Sequence, residues 1–230
     1  MNSAKANILK RLRTTGGRPV TPVSNTWQPP QYSEEEKLIH FKNSLVLSHA
    51  EVIDATEENW VQKLSDIAIS KDLQRWLYSS DTVSGLAFEQ HLSRPNPQTS
   101  EPRLQLALAE KFELIPYNKP IEEFKETLFH NINAAFTEVH AGIAETGTLV
   151  ILPSKAEPRL MSLVPPVHVA LFRKSTLLNN FSELLEQENW QTKGLPSNVL
   201  LISGPSKTAD IQQTLAYGAH GPKELIVLII

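Results

Sequence analysis

The C-terminal stretch constrains the fold more than any other part of the chain. The apolar run from Val199 to Ile202 has the length of a buried strand, and Ser203-Gly204-Pro205-Ser206 is turn chemistry that stops it. Beyond it, Ala209, Ile211, Leu215 and Ala216 lie close to helical spacing, Gly218 is a stop signal, and Lys223 to Ile230 reads as a second buried strand. The expectation is a strand, helix, strand unit of an α/β protein with parallel strands. Ligands of such units bind outside the carboxyl ends of the strands, where loop amides and a helix N-terminus face solvent.

The segment from Ser203 to Asp210 is expected at that place. Gly204 lets the backbone approach a ligand, Ser206 and Thr208 offer hydroxyls, Lys207 offers a charge, and helix N–H groups add positive potential. Together they would hold a phosphate or a carboxylate. The competing reading is that Ser206 or Thr208 only caps the helix. A Walker loop is excluded, because that pattern needs glycine before the lysine and Ser206 stands there.

Upstream, apolar and polar segments alternate as in an α/β domain. Helices are expected over 33–47, with Ser33 as cap, over 57–69 after Thr56, and over 82–92 and 121–129; a long one should run over 175–190. Strands are expected over 51–54, 75–78, 134–139, 148–152 and 167–172. Residues 94–102 hold three prolines and read as a surface loop, while 104–109 fit either a strand or a helical turn. The turn Ala144-Glu145-Thr146-Gly147-Thr148 places a carboxylate, two hydroxyls and a flexible glycine at the mouth of an apolar strand. It is either a plain turn with a solvated glutamate or part of a site. His168, inside an apolar strand, is expected to be a buried, hydrogen-bonded core residue, and His220, between Gly218 and Gly221, to be open to a ligand.

Three segments, Gly142-Ile-Ala-Glu-Thr-Gly-Thr-Leu-Val150, Leu163-Val-Pro-Pro-Val-His-Val169 and Ser203-Gly-Pro-Ser-Lys-Thr-Ala-Asp-Ile211 with His220-Gly-Pro222, resemble the signatures of the lactate utilisation protein C family in kind, order and spacing. The resemblance covers roughly residues 35 to 230. It implies a single LUD domain: a Rossmann-like three-layer α/β fold with a mostly parallel sheet, akin to ribose-5-phosphate isomerases and CoA transferases. It also implies a part in oxidising L-lactate to pyruvate beside two partner proteins with iron–sulfur or cysteine-rich modules.

The chain's own composition bears on that division of labour. It contains no cysteine, so iron–sulfur clusters held by thiolates belong on the partners and no cofactor is assigned here. The seven histidines show no metal-ligand spacing, and no G-x-G-x-x-G occurs. The alternative is an autonomous enzyme on a phosphorylated or CoA-linked metabolite. In it Glu145 serves as base or nucleophile, as the likeness to CoA transferases implies, with His220 as a second candidate catalytic group and the Ser203–Asp210 loop as anion cradle. Glu145, Thr146, Ser206, Lys207, Thr208 and His220 are expected to line one cleft, with Gly147 a further candidate for binding substrate or anion.

A net charge of −3 gives no electrostatic case for nucleic acid. The longest apolar run, 225–230, is far below the roughly 20 residues of a membrane span, and no secretory h-region opens the chain, so a cytoplasmic location is expected. Residues 1–32 stand apart from the domain over 33–230. Ala4, Ile8, Leu9 and Leu12 mark one face of a short basic helix, and a Pro- and Gly-rich arm follows it. A helix so short needs a surface to dock on: this domain, a second copy, or a partner.

Overall fold

A computed structural model describes residues 3–14, 28–93, 111–209, 215–218 and 220–230. The expected loop over 94–102 and the ambiguous segment 104–109 lie outside the described residues, as does Asp210.

The centre is a parallel sheet of six strands in the order β1, β12, β7, β4, β2, β3. These are β1 (Glu51–Asp54), β2 (Arg75–Tyr78), β3 (Glu113–Pro116), β4 (Ala134–Glu138), β7 (Val167–Phe172) and β12 (Glu224–Ile229). All six residues of β7 are buried, and all but the first of β12. That is why both read as unbroken apolar runs: a parallel strand covered on two faces has no solvent side.

One face of the sheet is covered by α3 (Trp60–Ser70) and α4 (Val83–Ser93). Trp60, Leu64, Ile67 and Phe88 join Phe136, Val169, Leu171, Ile226 and Leu228 in one apolar cluster, with Trp60 stacked on Phe136 at 5.6 Å between ring centres. The opposite face is covered by two separate units. Over β1, β12 and β7 lies α2 (Glu34–Leu47), whose Phe41 packs on Phe172 at 4.8 Å, together with a second sheet. Over β2 and β4 lie α5 (Ile121–His130) and the short α6 (Leu160–Leu163), with Phe124, Leu128 and Met161 against Leu77 and Ala135. The three-layer α/β fold with a mostly parallel main sheet is therefore as the sequence implies.

The second sheet runs β8 (Leu177–Leu178), β5 (Ala141–Ile143), β6 (Thr148–Ile151), β9 (Leu200–Ile202). It corrects two expectations. The helix over 175–190 starts only at Phe181 as α7 (Phe181–Glu188), because Leu177-Leu178 pair with β5 and Asn180 caps the helix by accepting from the Glu183 N–H at 3.0 Å. The C-terminal unit is not strand, helix, strand in one sheet either. β9 runs antiparallel to β6 as an edge strand, while β12 belongs to the main sheet. Between them β10 (Lys207–Ala209) and β11 (Leu215–Tyr217) form an antiparallel pair where a helix was expected. Lys207 pairs with Tyr217, and the neighbouring Ser206 carbonyl accepts from the Gly218 N–H at 3.0 Å, so cross-strand bonds replace helical ones.

The cap at Ser33 is present as expected. Its hydroxyl accepts from the Glu36 N–H and the Glu36 carboxylate accepts from the Ser33 N–H at 3.0 Å, so both ends of the box are closed. Ahead of it, Asn179 accepts from the Tyr32 N–H and Asn180 donates to the Pro30 carbonyl, which ties residues 30–32 to the domain. The N-terminal helix α1 (Ser3–Thr14) is exposed at every position whose side chain is described.

Gly147 fixes the turn between β5 and β6. Its φ is +60°, and a Cβ there would come within 2.5 Å of the Ser44 Cβ on α2. Gly147→Ala should therefore cost about 2 to 4 kcal/mol, from left-handed backbone strain plus overpacking. Thermal unfolding of the variant checks this, and an unchanged Tm would contradict the packing described.

Candidate functional site

Two of the loops singled out in the sequence, 203–206 and 220–222, meet at the amino ends of β7 and β12, not at the carboxyl ends. A cavity of about 170 Å³ lies there. Its walls are Ser162 and Leu163 from α6, His168 from β7, Leu201 to Gly204 from the end of β9, Ser206, His220 to Pro222, and Leu225 of β12. Two backbone bonds hold the loops around it: the Ser206 N–H donates to the Pro222 carbonyl at 2.8 Å, and the Lys223 N–H donates to the Pro166 carbonyl at 2.7 Å. Gly204 is required where it stands, since a Cβ would come within 2.5 Å of the Ser48 carbonyl oxygen at the end of α2.

His168 is the floor. It is fully buried, and its Nε2 is 2.8 Å from the Thr137 hydroxyl on β4. Its Nδ1 has no hydrogen-bond partner. Burial pushes the imidazole pKa down to about 4, so the ring is neutral near pH 7. The position has a packing cause. His168 and Thr137 lie on the sheet face that two covering units share, where the cluster around Phe41 and Leu149 gives way to the one around Phe124 and Met161. Neither unit fills that seam, and the cavity lies in it.

Of the expected site residues, the structure brings Ser203, Gly204, Ser206 and His220 into one cleft. Glu145 and Thr146 are not in its wall but are connected to it. The Thr146 hydroxyl is 2.7 Å from that of Thr148, which is 2.7 Å from that of Ser203. Glu145 is half-buried and its N–H donates to the Asn179 carbonyl at 2.9 Å. Lys207 is exposed on β10, and the backbone of Thr208 follows it in the same strand. With β10 in place of a helix, the expected helix N-terminus and its dipole are missing from the anion cradle. The described residues of the cleft wall include no lysine or arginine.

At the other end of the sheet lies a pair of carboxyl groups that no motif in the sequence marks. Glu138 ends β4; its carboxylate accepts from the Ser84 hydroxyl at the start of α4 and is 4.0 Å from the Arg173 guanidinium just past β7. Both oxygens of Glu157 are 3.2 Å from the Glu138 N–H. Burial, with the nearby Glu138 charge adding to it against that hydrogen bond, pushes the Glu157 pKa up to about 8. Glu157 therefore holds a proton near neutral pH that it can release. In the sequence it stands among polar loop residues, Lys155-Ala-Glu-Pro158, and reads as solvated. Among the described residues no three His, Asp or Glu side chains come together as metal ligands.

Residues 38–230 match the LUD domain family, and the chain belongs to it. An uncharacterised protein of Neisseria meningitidis serogroup B is 37% identical over 237 residues, covering 99% of this chain and 94% of the relative. Lactate utilization protein C of Bacillus subtilis is 26% identical over 98% of this chain and 92% of its own length. The crystal structure of a DUF162 family protein from Deinococcus radiodurans superposes with a TM-score of 0.57 at 17% identity, covering 86% of this chain and 99% of that one, and shares the fold.

Buried His168 and half-buried Glu157 give opposite pH dependences. Glu157 folds with a pKa near 8, above its ordinary 4.5, so between those values the folded chain holds a proton that the unfolded chain lacks, and stability falls as pH rises. His168 folds with a pKa near 4, below its ordinary 6.5, so between those values stability rises with pH. The window above pH 6.5 is left to Glu157 alone of the two. There Glu157→Gln should remove a downward slope of up to about 1.4 kcal/mol per pH unit, read by denaturant unfolding from pH 6.5 to 8. An identical slope in both proteins would show Glu157 to be ionised in the fold.

Proposed function

We propose that this chain serves lactate utilisation as a non-redox, ligand-holding component of an L-lactate oxidising system whose iron–sulfur partners carry the electrons. The kinship with lactate utilization protein C over nearly the whole chain supports the lactate connection. The absence of cysteine from all 230 residues supports the division of labour. Converting a 2-hydroxy acid to a 2-oxo acid removes two electrons and two protons, and a chain without thiolates cannot ligate a conventional iron–sulfur cluster to receive those electrons. What the geometry supplies instead is a place to bind, and this observation carries the reading: Ser203, Ser206, His168 and His220, dispersed in sequence, converge on one cleft.

The alternative, an autonomous enzyme on a phosphorylated or CoA-linked metabolite, has less support. A phosphoryl group calls for cationic or helix N-terminal partners, and the described cleft wall offers neither. In the favoured reading residues 33–230 form the working domain, and the short helix α1 ahead of it is the segment proposed to meet a neighbouring subunit.

Purified together with its iron–sulfur partners, the chain should raise lactate-dependent dye reduction above that of the partners alone, and by itself it should give none. Lactate oxidation by the isolated chain would overturn the non-redox assignment. Full activity of the partners without it would remove it from the reaction.

A further inference from the structure

We propose that the basic hollow between residues 153–159 and the segment ahead of β9 is a second binding site, which takes the phosphate monoester group of a small metabolite with Lys155 and Arg159 as its counter-charges. The hollow shares no wall residue with the seam cleft, and the proposal goes beyond the reading above without depending on it.

One strand pairing builds the hollow. Ile151 at the end of β6 pairs with Leu200 at the start of β9, so the chain leaving β6 and the chain entering β9 stand side by side. Pro153, Ser154, Lys155, Pro158 and Arg159 come from the first, Ser197 and Asn198 from the second, around a cavity of about 570 Å³. Small-molecule sites span roughly 300 to 1,000 Å³, so a phosphate and the carbon skeleton attached to it both fit. The first wall is held in place by its own bonds. The Ser154 N–H donates to the Glu157 carbonyl and the Glu157 N–H donates to the Ser154 hydroxyl, both at 3.0 Å, while the Glu157 carboxyl group accepts from the Glu138 N–H on β4. Lys155 is therefore carried on a closed turn and Arg159 just past it, and a wall fixed before binding lowers the entropy cost of binding.

The charges select the ligand. Elsewhere lysines and arginines are paired with carboxylates: Lys42 with Asp54 at 2.6 Å, Lys71 with Glu224 at 2.8 Å, Arg75 with Glu113 at 2.9 Å. Among the described residues Lys155 and Arg159 have no ion-pair or hydrogen-bond partner, and the wall of the hollow contains no carboxylate. Glu157, between them in sequence, bonds to β4 and holds its proton near neutral pH, so it does not cancel them. The other polar groups add donors: Ser154 accepts from Glu157 and keeps its O–H to give, and the Ser197 hydroxyl and the Asn198 amide can donate as well. Such a wall calls for about two negative charges and more acceptor oxygens than one carboxylate offers. A phosphate monoester brings roughly −1.5 to −2 charges at pH 7 and three acceptor oxygens, two of which fit a guanidinium fork. The rings of Pro153 and Pro158 give the carbon skeleton an apolar surface.

Isothermal titration of the full chain with glycerol 3-phosphate, adenosine monophosphate, inorganic phosphate, succinate and glycerol tests this. At least one ester should bind saturably, the tighter of the two setting the size of the carbon part, and succinate and glycerol should bind at least about tenfold more weakly. Lys155→Gln and Arg159→Gln should each weaken the ester about tenfold, and added salt should weaken it in the wild-type chain. Both side chains are exposed, so neither substitution should move Tm by more than about 2 °C. Succinate binding as tightly as the ester, binding of inorganic phosphate alone, or ester binding untouched by both substitutions would overturn the assignment. So would ester binding that is kept in the double variant but lost on Lys207→Ala, which would return the anion to the loop after β9. Absence of ester binding would overturn it as well; if the double variant then also failed to co-purify with the iron–sulfur partners, the hollow would belong to an acidic segment of a partner protein.

Discussion

The whole arrangement depends on burying both faces of one parallel sheet whose central strands carry almost no polar side chain. Val167, Val169 and Leu171 face one way and Ala170 and Phe172 the other, so each face needs a full apolar cover. Among the described residues, α3 and α4 supply most of the cover on one side. On the other, the cover comes in two pieces, α2 with the small sheet over one half and α5 with α6 over the rest. Two independently packed units leave a seam, and the polar pair Thr137 and His168 lies along it. The ligand cleft is thus a consequence of how the core is closed.

The loops around the seam are held by elements that have structural work of their own. Gly147 and Gly204 lie close against α2, so the turn carrying Glu145 and the loop carrying Ser203 are both positioned by the same helix. The hydroxyl chain from Thr146 through Thr148 to Ser203 then spans the distance between that turn and the cleft. Shifts of α2 would be felt at both places. The carboxyl pair Glu138 and Glu157 belongs to the carboxyl end of β4, where Thr137, the hydrogen-bond partner of His168, directly precedes Glu138.

The expected bounds of 51–54, 75–78 and 167–172 coincide with the observed strands, and for 167–172 burial on two faces made the apolar run that marks it. The loop residues of the site were legible too, because Ser203, Gly204, Ser206 and His220 are turn and polar types clustered around strand ends. The misreadings have one physical origin: short segments whose conformation is set by distant partners. Leu177-Leu178 would continue a helix but are held by β5. The stretch from Lys207 to Tyr217 has apolar residues near helical spacing, yet its Thr208 and Tyr217 favour strands, and pairing across the hairpin decides the outcome. His168 read as an ordinary core histidine because its surroundings in sequence are apolar. Only the seam in three dimensions shows that one of its nitrogens is left without a partner. Glu157 carries no local signal at all, since its carboxylate bonds to the Glu138 N–H at the end of β4 and not to its neighbours.

The central claim is that the cleft at the amino ends of β7 and β12 is where this protein holds its ligand, and a crystal structure of the full chain grown with L-lactate tests it most directly. The account predicts density for the acid in the seam, against Ser203, Ser206 and His220. Lactate seated instead at the carboxyl end of the sheet, against Glu138 and Arg173, with the seam empty, would contradict it.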